Sequence, residues 1–451
     1  MATLDERARV LRLLQRTGFG SAGQGGPAED GAGEGWDQAL DRVLDTADDP
    51  DAPAPPDLGP LPERGKSEAR AADGETADGR TTDSARQTYR RAVREQREQL
   101  TIWWLDRMVA TERPWIEKRT LLWHDHWATS IQKVKSGRAM LAQNQTLRKL
   151  GAGEFRTLAR AMVQDPALML WLDASGNTAE APNENLAREL MELFVLGVGH
   201  YEEDDVRQAA AALTGWSVDR RGEGEWSARF RPQRHADGAQ TVLGRRTDFT
   251  ATSLVDHLVG QPECPRHVAS RLWARLVSAE NGPSDSSLDR IAGTGDLTAM
   301  VRAILADPAF ADPANVLVKQ PVEYVVGTLR ALGVRPARLE EKARGQLLRT
   351  LGGLGQVPFA PPSVGGWPHG TAWLTTAAAR VRIGFAQQAV RQGDLGAVRR
   401  APAEERLATL ARLLGVHRWS ERTAAVLAEA ADEPERVTAI ALTAPEYLVQ
   451  P

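Results

Sequence analysis

From about Ala85 onward, large apolar side chains return every three or four residues in one segment after another. That period, interrupted by Gly and Pro, belongs to amphipathic helices. A long helix is expected from Ala85, charged over Tyr89 to Gln99 and apolar over Leu100 to Val109. Pro114 then stands where a first helical position would be. The pattern predicts further helices at 115–128, 138–150, 154–164, 184–197, 203–214, 252–260 and 264–278. Others are predicted at 297–306, 320–333, 338–351, 372–391, 403–414, 420–431 and 434–443. Only 225–244 has a period of two, with Trp226, Ala228 and Phe230 alternating with polar residues. Asp237-Gly238 reads there as a turn and Thr241 to Leu243 as a returning strand. The fold class expected is all-α, a multi-helix globular chain with one small β-hairpin near 225–244.

Three regions follow. Residues 1–47 form an N-terminal helical segment, with helices at 6–16 and 36–44 around a glycine-rich break. Residues 48–84 carry six prolines, and their only sizeable apolar side chains are Leu58 and Leu61. With so little to bury, the stretch is expected to be a flexible insertion. Residues 85–451 make the main helical domain, with a Gly/Pro-rich loop at 352–371.

Charge and cysteine content narrow the function classes. The net charge of −4 gives no broad basic footprint for nucleic acid. The single cysteine, Cys264, excludes an internal disulfide and clusters that need several thiolates. No apolar run is long enough for a transmembrane helix. Met1 to Val10 shows no apolar h-region, so a cytoplasmic protein is expected. There is no Walker loop, nucleophile elbow, dinucleotide fingerprint or HExxH string, and hence no nucleotide or flavin motif.

Several constellations remain. In Trp123-His124-Asp125-His126-Trp127, two histidines and a carboxylate offer metal ligands or a proton relay. On a helix, i and i+2 lie roughly 200° apart, so His124 and His126 cannot face one site. The alternative is a hydrogen-bonded core histidine among aromatic rings. Asp173, Ser175, Asn177 and Glu184 occupy positions 1, 3, 5 and 12 of a calcium-loop spacing, although Thr178 replaces the usual glycine. A helix cap by Asn183 explains much of the same string. Glu184, Arg188 and Glu192 follow at i, i+4 and i+8 with Glu189 beside them. They form either a solvated ladder or a carboxylate wall able to hold a metal or tune an acid. His235 sits at the mouth of the expected hairpin, and Trp367, His369 and Trp373 are placed to cap a pocket. Lys319 and Glu323 read as an ordinary i, i+4 pair.

Seven strings together resemble the bacterial family known as domain of unknown function 1800. They are Leu13 to Gly20, Trp123 to Trp127, Pro182 to Gly199, Ala212 to Trp216, His235 to Gly238 with Leu243-Gly244, Lys319 to Tyr324, and Pro361 to Pro368. The resemblance runs from residue 8 to about 448. It implies interest in His124, His126, Glu184, Arg188, Glu189, Glu192 and His235, without roles. Members of that family often carry a secretion signal and are often encoded beside a sulfatase-like partner, family 1501. The family usually has Asn and Phe where this chain has Asp125 and Trp127, and the aspartate adds a charge able to pair with either histidine. The leading expectation is a metal-dependent enzyme, hydrolase or oxidoreductase, with a buried site between the 115–128 and 184–197 helices. His124, His126, Arg188 and Glu192 would be its catalytic residues. Its cofactor would be a divalent metal, a transition metal or calcium, held by Asp173, Ser175, Asn177, Glu184 and Glu189. His235, Trp367, His369 and Trp373 would meet an unknown substrate. The rival is a non-catalytic binding or assembly protein that docks a protein partner. Convergence of the histidines and glutamates in one pocket separates the two.

Overall fold

In the computed structural model, which describes residues 4–20, 35–62, 79–219 and 226–450, the chain winds around a helix that has no solvent face. Pro114 takes the first helical position, where its missing N–H is no loss. Every residue from Trp115 to His126 is buried. On one side Trp115, Leu122 and Trp123 join a core built by the Glu6–Thr17, Phe155–Val163, Glu203–Ala212, Ala251–Val259, Glu263–Leu276 and Leu297–Ala306 helices. On the other side Leu121 joins a second core built by the Gly79–Ala110, Pro321–Ala331, Glu341–Leu354, Thr376–Gln392 and Ala403–Leu414 helices. The backbones pack closely at Gly151, where a Cβ would lie 2.4 Å from the Trp123 ring. Trp123 Nε1 donates to the Gly151 carbonyl there at 2.8 Å.

A buried helix must satisfy its own polar side chains. Glu117 accepts from Trp104 Nε1 at 2.8 Å, Arg107 Nε at 2.6 Å, and Arg148 Nε and Nη2 at 2.9 and 2.8 Å. Burial pushes the Glu117 carboxyl up, but Arg148 and Arg107 together hold it below the usual range. This cluster fixes the 114–126 helix against Gly79–Ala110 and Gly137–Leu150.

The helical class is the one observed, and several helices have their caps in the sequence. Asp165 caps Pro166–Trp171 by accepting from Leu168 N. Ser284 caps Asp285–Ala292 by accepting from Ser287 N. Both helices escape a reading by apolar period alone. The β structure corrects the expected pairing. Ser227–Phe230 pairs back with Trp216–Asp219, and Gln240–Val242 pairs forward with Arg245–Thr247. The forward pair closes through Leu243 and Gly244, both with positive φ, the geometry of a tight two-residue hairpin. A short loop closes at smaller entropy than the ten-residue connection expected from Asp237-Gly238. A third ladder joins Leu317–Val318 to Val449–Gln450.

The first part of the proline-rich stretch is held in place. Leu58 is buried, and Asp49 accepts from Thr111 Oγ1 and from Glu112 N. Donors on the long helix reach its carbonyls: Trp103 Nε1 and Arg107 Nη1 to Pro53 at 3.1 and 2.9 Å, and Gln96 Nε2 to Gly59 at 2.7 Å. An extended chain without apolar bulk can thus be fixed by side-chain donors. Residues 79–84, expected in the same insertion, already belong to the Gly79–Ala110 helix, and residues 63–78 lie outside the described residues.

Replacing Glu117 with Ala leaves two arginines without their buried carboxylate. E117A is expected to lower the stability by roughly 3–5 kcal/mol, read as a fall in the urea midpoint. A loss under about 1 kcal/mol would mean that the cluster does not anchor the helix.

Candidate functional site

The two histidines of the Trp123–Trp127 string leave their helix into different surroundings. His124 lies among Trp104, Phe359 and Trp367, and its Nε2 accepts from Phe359 N at 3.0 Å. Burial pushes it down to about 3, so the ring is neutral with the proton on Nδ1. His126 lies among Trp123, Trp127, Phe155 and Phe194, and its Nε2 donates to Phe194 O at 2.9 Å. Burial also holds His126 well below its ordinary value, with Arg271 and His267 adding to the effect.

That bond has a local cause. The Glu184–Glu189 helix runs into a π-helical turn, Leu190–Val195. At its end Leu196 N and Gly197 N both fold back to Met191 O. The carbonyls of Leu193 and Phe194 are then among those that a helix end leaves without a partner. His267 Nε2 takes Leu193 O at 2.8 Å, beside His126 on Phe194 O. The pair of imidazoles caps the turn.

Asp125 meets neither histidine. Its Oδ1 accepts from Trp367 N at 2.8 Å, and its other oxygen pairs with Arg275. Gly366 has φ 87, and a Cβ there would lie 2.4 Å from Asp125 Oδ1, so only glycine fits. Arg275 also donates to His369 Nδ1, and burial with Arg275 and Arg271 nearby pushes His369 down to about 3. Trp367 and Trp373 are buried with Val318 in a small apolar cluster over this group. Below it lie buried charges that the sequence pattern hid. Lys118 Nζ pairs with Glu323 Oε1 at 2.6 Å. Lys319, read above as the partner of Glu323, instead stands 3.4 Å over the Tyr447 ring. Arg16 donates to Asn315 O and Gln450 O at 3.0 and 3.1 Å. A charged residue on the apolar side of its helix, as Arg16 is among Leu13 and Val10, was the available signal.

Arg16, Asp125, Lys319, Glu323 and Gly366 come from four of the seven strings quoted above, which therefore meet in one place. A sequence model of the family described as "Protein of unknown function (DUF1800)" matches residues 12–449. The chain belongs to this family. No curated protein and no solved structure matches it.

The remaining strings of this DUF1800 chain lie apart from that centre. Asp173 is exposed and pairs with Lys133 at 2.6 Å. Asn177 is buried, and its side chain accepts from Asn183 N at 2.8 Å and donates to Ala210 O at 3.1 Å. Asn183 caps the next helix at Asn185 N. Ser175 lies between Asp173 and Asn177, half-buried, in a short 3-10 turn. Glu184 pairs with Arg188 at 3.0 Å, and Arg188 pairs with Glu203 at 2.6 Å. Glu192 accepts from Tyr201 at 2.6 Å, and Glu189 is half-buried with its carboxyl raised by burial and by Glu192. The loop is closed by its own hydrogen bonds, and of its four expected ligands Asp173, Asn177 and Glu184 each have a partner within the protein. Among the described residues, no group of three or more His, Cys, Asp or Glu is placed to hold a metal. His235 Nδ1 meets Thr214 O at 3.0 Å and fastens the end of the Ser227–Phe230 strand.

Two outcomes are expected. The folded state keeps His124 and His126 neutral, while the unfolded chain takes up their protons near the ordinary 6.5. Stability is then full above about pH 6.5 and falls as pH drops below it, by up to about 1.4 kcal/mol per pH unit for each histidine. H126Q should flatten the urea midpoint against pH, and an unchanged slope contradicts the assignment. Calcium should leave the melting temperature of a chelated sample unchanged, while N177A costs about 1–3 kcal/mol. A saturable calcium rise would reinstate the loop site.

Proposed function

We propose that this protein works by docking a partner and not by turning over a substrate. One observation carries the reading: the candidate residues divide into histidines fixed on backbone groups and glutamates fanned over a separate surface. A reaction centre needs a base or ligand with a free position and a place for the reacting atom. One nitrogen of each ring serves the backbone instead, His124 Nε2 with Phe359 N and His126 Nε2 with Phe194 O, and the other nitrogen of His126, which meets no described partner, is buried among Trp123, Trp127, Phe155 and Phe194.

The surface has the character of an interface. Glu184, Glu189, Glu192, Glu202, Glu203, Asp204 and Asp205 crowd there against Arg188 and Arg207. Val198 stands on a turn between Gly197 and Gly199 and is 74% exposed, more than any other large hydrophobic residue described. An exposed apolar tip, on the turn that joins the two acidic helices, suits a partner with a small apolar hollow and basic side chains around it. The sulfatase-like family 1501, to which the family resemblance points, supplies the first candidate.

Calorimetric titration of the intact chain with such a protein tests the reading. V198D is expected to weaken binding at least tenfold, about 1.4 kcal/mol. The pair E189K and E192K should slow association and reduce its salt dependence. Wild-type affinity in both variants would overturn the placement of the surface. A metal-dependent turnover abolished by E189A would overturn the binding reading itself.

A further inference from the structure

A cleft of about 1020 Å³ opens between the Trp36–Leu44 helix with the residues that follow it, the Pro114–His126 helix and the end of the Gly137–Leu150 helix. That is room for a small organic molecule. Its lining charges sort by burial. Arg119 is 5% exposed and the Arg148 side chain 10%, so positive charge lies at the bottom. Lys149 and the aspartates 41, 45, 48 and 296 are exposed, so the carboxylates stand at the mouth. Most of these have partners. Asp41 pairs with Arg302 at 2.7 Å and Asp45 with Arg113 at 2.6 Å, and Asp296 caps the Leu297–Ala306 helix. Asp48 and Lys149 make no hydrogen bond or ion pair among the described residues.

The floor is short of negative charge. Behind it Glu117 already takes Arg107 and Arg148. Arg119 depends on the same carboxylate, and the charges that act on it are those of Glu117 and Arg148. Three guanidiniums thus share one carboxylate. Arg119 Nη2 donates to Arg148 O at 3.2 Å, while its Nε and Nη1 are buried without an acceptor among the described residues. Burial pushes Arg119 down to about 10, as expected where a counter-charge is wanting. A buried cation of this kind is costly unless a carboxylate or similar group meets it. We propose that the cleft binds a small zwitterion of the amino-acid class, its carboxylate seated between Arg119 and Lys149 and its ammonium on Asp48. The planar guanidinium matches the fork of a carboxylate. The aspartates at the mouth turn away a molecule with several negative charges and suit a cationic outer end. The inference is independent of the docking surface, which lies on other elements.

The test is the melting temperature of the full chain titrated with each of the common amino acids in turn. Propionate and ethylamine, which carry one of the two charges each, are the control probes at equal ionic strength. At least one amino acid is expected to raise the midpoint by several degrees along a saturable curve, by mass action on the folded chain. Neither control should match it. R119M should abolish the response. D48N and K149E change exposed residues and leave the core untouched, and each should raise the half-saturating concentration by roughly tenfold or more. Should R119M fail to fold, these two surface variants decide the matter. No saturable response of the wild type to any amino acid would overturn the site, as would wild-type half-saturation in both D48N and K149E. Propionate as effective as the best amino acid would overturn the zwitterion assignment.

Discussion

A helix enclosed on all sides cannot send its polar groups to water, so its charged and hydrogen-bonding side chains depend on neighbours from other elements. The Pro114–His126 helix sets this condition for the whole molecule. Glu117 collects Arg107 and Arg148, Lys118 reaches Glu323, His124 takes Phe359 N, Asp125 takes Trp367 N and Arg275, and His126 reaches Phe194 O. Those partners come from helices and loops spread over the described chain. Removing any one strands a buried charge or donor, which costs more than the bond itself contributes. The two apolar cores meet across this helix, and their relative placement depends on these bonds.

The same condition decides what the histidine string does. In a reactive site a histidine keeps one nitrogen for substrate, proton or metal. Here the described bonds of both imidazoles join backbone groups that would otherwise be orphaned: the amide of a Gly/Pro-rich loop and the carbonyls at the end of a π-helical turn. The π turn is what brings Leu193 and Phe194 into reach, and His126 and His267 are its caps. With one nitrogen of each ring committed to the backbone, the acidic surface around Arg188 and the exposed Val198 are the accessible groups placed to meet another molecule. That is the basis of the docking proposal.

The class of the fold was legible because most helices carry their own apolar stripe and ends. The 297–306 and 403–414 helices are found at the bounds read from the sequence. Helices declared by caps, such as Asp285–Ala292 behind Ser284, carry too little apolar period to be seen that way. Strand pairing was illegible for another reason. Strands of three or four residues have little pattern, and the Leu243-Gly244 turn decided their partners. In the site, the i, i+2 spacing of His124 and His126 already excludes a common face. What spacing cannot show is assembly over distance. Arg16, Lys118, Arg275 and Glu323 are far apart in the chain, and apart from Arg16, which sits on the apolar side of its helix, each looks like an ordinary surface charge until the helices pack.

The claim that the histidines are fixed structural groups is tested most directly by nitrogen-15 NMR of the imidazoles in the intact protein. The account predicts two opposite and invariant tautomers, the proton on Nδ1 in His124 and on Nε2 in His126. Both rings should stay neutral from pH 7.5 down to about 5, and neither should shift when zinc, manganese or calcium is added. A ring that titrates near 6.5, or whose unprotonated nitrogen shifts on adding metal, would contradict it and return the Trp123–Trp127 string to chemistry.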